Sequence, residues 1–154
     1  MQDHYEEPPL TRCSLDRTIK AYLRTEYAVI QALPVVFRYD VTDPHVVALQ
    51  FGNADKGVCS WIIGREQLLE GILHGFDTAA LTIREIAVLS PGGVREPTML
   101  RLTLRNASKW AVFELPADAV RDWLAGTFDL VAAGDEGAAL DWDFFLVRLT
   151  NEWG

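Results

Sequence analysis

Two apolar runs, His45–Phe51 and Val58–Ile63, are separated by six residues, Gly52-Asn53-Ala54-Asp55-Lys56-Gly57, most of them turn formers. Parallel strands need a crossover of a dozen or more residues, so a link this short makes the runs an antiparallel hairpin. Other segments repeat the pattern. Val35-Val36-Phe37-Arg38-Tyr39 follows Pro34 and ends before the Asp43-Pro44 turn. Leu100, Leu102 and Leu104 alternate with Met99, Arg101 and Thr103, and Trp110, Val112 and Glu114 alternate with Ala111, Phe113 and Leu115. Leu81, Ile83, Ala87 and Leu89 suggest another strand before the turn Ser90-Pro91-Gly92-Gly93. Residues 15–30 fit helical spacing at Leu15, Ile19, Leu23 and Ile30. They also fit strand alternation from Ile19 to Val29, and their Thr, Tyr, Val and Ile content favours strand.

Helices fall between these strands. Arg65–Leu73 carries an apolar stripe of Leu68, Leu69, Ile72 and Leu73. Pro116 suits a first helical turn, after which Val120, Trp123 and Leu124 form a buried face. Gly134 to Gly137 reads as a loop. A last helix is expected from Asp141, with Trp142, Phe145, Leu146 and Leu149 inward. The order strands–helix–strands–helix–helix, with hairpin links, gives an α+β class. Glu6-Glu7-Pro8-Pro9 marks residues 1–13 as a loose tail, leaving residues 14–154 as a single domain.

Chemistry is sparse. There is no Gly-x-Gly-x-x-Gly, P-loop, Gly-x-Ser-x-Gly or His-Glu-x-x-His. His4, His45 and His74 read as surface histidines, and Asp141 and Asp143 as helix-start acids. Cys13 and Cys59 lack metal-ligand spacing and read as reduced thiols, with Cys59 packed in a strand. No cofactor, metal or enzymatic activity is expected. The N-terminus resembles no signal peptide and no stretch suits a membrane span, which points to the cytoplasm.

Net charge is −8 and uneven: residues 114–154 hold nine acids against two bases, Arg121 and Arg148. That balance repels phosphate backbones at long range. One basic stretch opposes it, where Arg84, Arg101, Arg105, Lys109 and Trp110 offer a strip for stacking and phosphate contacts.

One block carries a family likeness. It runs Leu33-Pro34-Val35, Arg38-Tyr39-Asp40, Asp43-Pro44-His45, then Trp61-Ile62-Ile63-Gly64-Arg65, and Leu68-Leu69-Glu70-Gly71. It resembles the SsgA-like (SsgB-type) family of actinomycete sporulation and cell-division proteins. That family has tyrosine where His45 stands. The resemblance marks Arg38, Tyr39, Asp40, Asp43, Pro44, Trp61, Arg65, Leu68, Leu69 and Gly71 as signature residues. Read physically, these are structural: the acids accept backbone N–H bonds in a turn that Pro44 fixes. The resemblance implies two crossed antiparallel sheets with packed helices, as in Whirly proteins, and a homotrimer. It implies a non-enzymatic adaptor that supports septation through FtsZ or another family member, in the cytoplasm or at the division septum. The alternative is a single-stranded nucleic-acid-binding module on the same fold.

Overall fold

In a computed structural model, the described residues are 14–25, 28–53, 57–87, 92, 98–107 and 109–136. Ten elements follow in order: β1 Ser14–Arg24, β2 Val29–Asp40, β3 Val46–Asn53, β4 Gly57–Gly64, α1 Arg65–Leu73, β5 Phe76–Asp77, β6 Leu81–Ile86, β7 Met99–Asn106, β8 Lys109–Pro116 and α2 Ala117–Leu130. The α+β class and the order strands–helix–strands–helix hold. The expected tail 1–13, the turn around Pro91 and the helix from Asp141 lie outside the described residues.

All eight strands belong to one antiparallel sheet, ordered β4-β3-β2-β1-β8-β7-β6-β5. Two crossed sheets were expected; the strands instead hydrogen-bond into one continuous sheet with two halves. Each half is a four-stranded meander, and among the described residues their strands pair where Tyr22, Leu23 and Arg24 of β1 meet Glu114, Phe113 and Val112 of β8. The sheet curls enough for Phe51 of β3 to stack on Phe113 of β8 at 4.5 Å, although two strands lie between them. A twisted sheet that rolls up this way buries one face against itself.

The strand alternation places that core. Ile19 and Ala21, Val35 and Phe37, Val47 and Leu49, Leu81 and Ile83, Leu100, Leu102 and Leu104, and Phe113 and Leu115 all point inward and are buried. The ambiguous residues 15–30 resolve into two strands. β1 ends at Arg24, and Thr25 N–H bonds Ala28 O at 2.9 Å to turn the chain into β2. Alternation assigns side chains to faces within a strand and does not mark where one strand ends and the next begins. Pro34 lies inside β2 opposite Lys20, rather than before a strand.

The helices close the inner face. On α2, Val120, Trp123 and Leu124 are buried, and Trp123 meets Phe37 edge-on at 5.2 Å and donates Nε1–H to Leu15 O at 3.2 Å. On α1, Leu68 and Ile72 are buried, but Leu73 is exposed where an inward stripe was expected. Leu73 is the last helical residue before the chain leaves α1 at His74.

Candidate functional site

The signature residues gather at the end of the sheet where β2 turns into β3. Asp40 Oδ1 accepts the Thr42 backbone N–H at 2.9 Å and its hydroxyl at 2.7 Å. Those bonds, the backbone one first, hold the Asp40 carboxyl below its ordinary pKa. Asp43 N–H closes the turn on Asp40 O at 3.0 Å. Tyr39 points inward, is buried, and donates its hydroxyl to Pro44 O at 3.0 Å. Burial raises its pKa, opposed in part by the Arg65 charge.

Among the described residues Arg65 is the largest fully buried side chain. Its backbone N–H bonds His45 O at 2.7 Å. Nη1 donates to Thr127 O at 3.0 Å and to Val131 O at 2.7 Å, carbonyls at the C-terminal end of α2. Thr127 O also accepts the Val131 N–H at 3.0 Å, and carbonyls at this end of a helix carry the negative end of its dipole. Nη2 donates to Glu136 Oε1 at 2.8 Å. The guanidinium lies 4.0 Å from the Phe128 ring centroid and 5.1 Å from that of Tyr39. Glu136 is held below the usual carboxylate range, by its own backbone N–H first and then by Arg65. It also accepts Gly134 N–H at 2.8 Å. One side chain therefore ties β4, the β3 entry, α2 and the loop after it. Thr127, Phe128 and Glu136 were not singled out from sequence. Glu136 lies 71 residues from Arg65 in the chain, a separation over which no motif is readable.

The remaining signature residues pack. Leu68 is buried and Leu69 half-buried. Gly71 faces β6 so closely that an added Cβ would stand 2.3 Å from Ile83 Cγ2. Trp61 is only half-buried, because β4 is an edge strand. Cys59, expected to pack, is exposed on the same strand. Arg38 turns to the outer face, where its Nε pairs with Asp16 at 3.2 Å.

The outer face at the other end of the sheet holds the basic strip. Arg84 and Arg101 are direct cross-strand partners, as are Arg105 and Trp110, and all four share that face. Lys109 is in β8 opposite Asn106. The strip is interrupted at its centre. Glu114, nearly buried, accepts Arg24 Nη1 at 2.9 Å and Arg101 Nη2 at 3.0 Å. Arg105 is spent on Thr82 Oγ1 at 2.9 Å. Trp110 is 56% exposed. Among the described residues no His, Cys, Asp or Glu cluster could hold a metal, and no helix is long and apolar enough to cross a membrane.

A curled antiparallel sheet with two inner helices, knotted by a buried arginine, is the domain these residues build. The family described as "Streptomyces sporulation and cell division protein, SsgA" matches residues 33–136, and the chain belongs to it. The sporulation-specific cell division protein SsgB of Saccharopolyspora erythraea is 31% identical over 115 residues, covering 75% of this chain and 77% of that protein. A sporulation-specific cell division protein of Frankia casuarinae is 31% identical over 130 residues, covering 82% and 85%. Among solved structures, the SsgA-like sporulation-specific cell division protein of Thermobifida fusca superposes with a TM-score of 0.70 at 24% identity, covering 88% of this chain and 94% of that one. SsgB of Streptomyces coelicolor gives the same score at 21% identity, covering 82% and 94%.

Proposed function

We propose that this protein is a non-enzymatic adaptor of cell division during sporulation, which positions or supports the septation machinery through protein–protein contacts. Family membership carries the reading. The geometry supports it: the Tyr39 hydroxyl, Asp40 Oδ1 and both terminal nitrogens of Arg65 are engaged within the chain, so the signature builds a scaffold and leaves the outer sheet faces to meet partners. The partner in this reading is FtsZ or another family member, met in the cytoplasm and at the septum. The seam between the two meanders is the feature a Whirly-like fold would share. The assembled form is a homotrimer, and light scattering at neutral pH tests it against three times 17.2 kDa.

The deciding experiment images a fluorescent fusion in a sporulating actinomycete and measures co-sedimentation of the purified chain with FtsZ polymers. Ladder-like septal signal and co-sedimentation support the reading. A diffuse signal with no co-sedimentation ends it.

One observation favours a second reading: Arg84, Arg101, Arg105 and Trp110 do share a face, as a single-stranded nucleic-acid module needs. Glu114 in its midst and the net charge of −8 weigh against it.

A further inference from the structure

The two edges of the sheet are treated differently. β5, at one end, is two residues long, which leaves nothing to pair with. β4, at the other, runs eight residues, Gly57-Val58-Cys59-Ser60-Trp61-Ile62-Ile63-Gly64. It holds no charge and no proline, and it keeps unbroken register with β3 from Asn53↔Gly57 to Val46↔Gly64. Among the described residues no strand lies on its outer edge. Soluble proteins blunt long edges with lysine, proline, bulges or a covering element, because the free row of N–H and C=O groups is a template for another strand. β4 has no lysine, proline or bulge within its length, and no covering strand among the described residues. It also presents Ile62, 58% exposed on the outer face, with Cys59 and Ser60 exposed and Trp61 half-buried.

We propose that the β4 edge is a strand-acceptor site, which takes an extended apolar segment of a partner protein, flanked by basic residues, as the ninth strand of the sheet. Main-chain pairing supplies affinity in this mode, and pockets beside the edge supply specificity. Here Ile62 continues the outer-face row Asp16–Arg38–Ala48, and with Asp40 and Asp43 these residues line an open groove beside the edge. The charge around the C-terminal end of β4 sets the flanks. Asp40 and Asp43 share the groove with Ile62, and α1, which starts as β4 ends, exposes Glu66 and Glu70. The nearby bases are already engaged: Arg65 is buried on Glu136, and Arg38 is paired with Asp16. A basic-flanked segment finds four carboxylates there with no cation beside them among the described residues, of which only Asp40 is hydrogen-bonded, to Thr42. A second copy of this chain suits the site less well, because it brings one flanking lysine, Lys56, and eight net negative charges. The proposal deepens the adaptor reading and rests on it.

The test uses the full chain and three synthetic peptides with the core Val-Thr-Val-Ile-Val-Thr. One is flanked by two lysines at each end, one by two glutamates, and one is lysine-flanked with alternate residues N-methylated so that it cannot pair. Anisotropy gives affinity, and amide hydrogen exchange locates the contact. The lysine-flanked peptide should slow exchange within residues 57–64 and bind at least about tenfold more tightly than the glutamate-flanked one. Ile62→Lys should lose that binding and Ile62→Val should keep it. Ser60→Lys, on the same exposed edge, is the second variant should Ile62→Lys melt early. Equal binding of the N-methylated peptide, or no protection in β4, overturns the proposal. So does concentration-dependent protection of β4 in the free protein, which would make the edge a contact between copies. Septal localisation separates the two readings. If Ile62→Lys and Ser60→Lys lose the peptide but still reach septa, the strand-acceptor site is wrong and the adaptor stands. If the wild type never reaches septa, the adaptor reading itself fails.

Discussion

Arg65 and Glu136, 71 residues apart, form a 2.8 Å ion pair inside the domain, and the same guanidinium holds the last carbonyls of α2. A buried pair is a weak source of net stability, yet removing one partner is costly because the other is left without compensation. Arg65→Ala would strip Glu136 of its ion-pair partner and Val131 O of its guanidinium donor. The expected loss is roughly 3–5 kcal/mol in urea unfolding. Arg65→Lys should recover little, since a single ammonium cannot reproduce the planar fork that spans three acceptors. A lysine variant with wild-type stability would show that the fork geometry is not what matters.

Acid should weaken the fold through the same carboxylate. The folded pKa of Glu136 lies below its ordinary value of 4.5, held down by its backbone N–H and Arg65. Asp40, capped by Thr42, behaves alike from 3.8. With the folded pKa depressed, the unfolded chain binds more protons in this window, so the contribution is present above the ordinary pKa and fades as pH falls through the folded one. Stability measured from pH 6 downward should therefore decline as the carboxylate range is entered. Glu136→Gln should be less stable than wild type at pH 6 and show a shallower acid decline. An unchanged slope would mean that Glu136 is not a source of the acid sensitivity.

Gly71→Ala tests the fit of α1 on β6. Alanine ordinarily favours a helix interior by about 1 kcal/mol over glycine. Here its Cβ would meet Ile83 Cγ2 at 2.3 Å and Ile83 Cβ at 2.4 Å. Overpacking of this kind costs ~1–3 kcal/mol, so the clash should win. Ile83→Ala should not rescue the variant, because alanine keeps the offending Cβ. A rescued double mutant would show that the contact is with the removable part of the side chain.

Trp61 and Trp123 separate what the sequence made legible from what it hid. Both sit in apolar segments, and from sequence Trp61→Ala is expected to cost the ~3–5 kcal/mol of a buried aromatic. Trp123 lies within the helical spacing that marked it as inward. It is 3% exposed and has both a ring partner in Phe37 and an acceptor in Leu15 O. It is therefore Trp123→Ala that should cost ~3–5 kcal/mol, with Trp61→Ala markedly less in the same denaturant titration. Alternation says which face a residue takes, but not whether its strand ends the sheet. β4 does, so Trp61 stays half-covered and Cys59 uncovered. The seam between β1 and β8 is hidden for a related reason: three residue pairs join segments about 90 positions apart. Local features fared better. The Asp40–Pro44 turn, the start of α1 and the inner face of α2 each depend on residues a few positions apart.

Glu114 offers a gain-of-function test of the basic strip. It sits between Arg24 and Arg101 at 2.9 and 3.0 Å and is nearly buried, so the two guanidiniums nearest the seam spend charge on it. Arg84 has no such partner among the described residues, but it stands opposite Arg101 rather than along a continuous track. Non-specific binding to nucleic acid ordinarily lies at 10⁻⁴–10⁻⁶ M at physiological salt and scales with the phosphates neutralised. An overall charge of −8 with an acid inside the strip should keep the wild type at or beyond the weak end. Glu114→Gln frees two arginines and removes one negative charge. Anisotropy titration with a fluorescent single-stranded oligonucleotide at ~0.15 M salt should show little binding by the wild type and measurably tighter binding by the variant. The variant's log–log salt slope should steepen by roughly one to two ions, matching the released guanidiniums. Sub-micromolar binding by the wild type would overturn the adaptor reading in favour of the nucleic-acid module. An unchanged variant would show that the strip takes no part in binding phosphate.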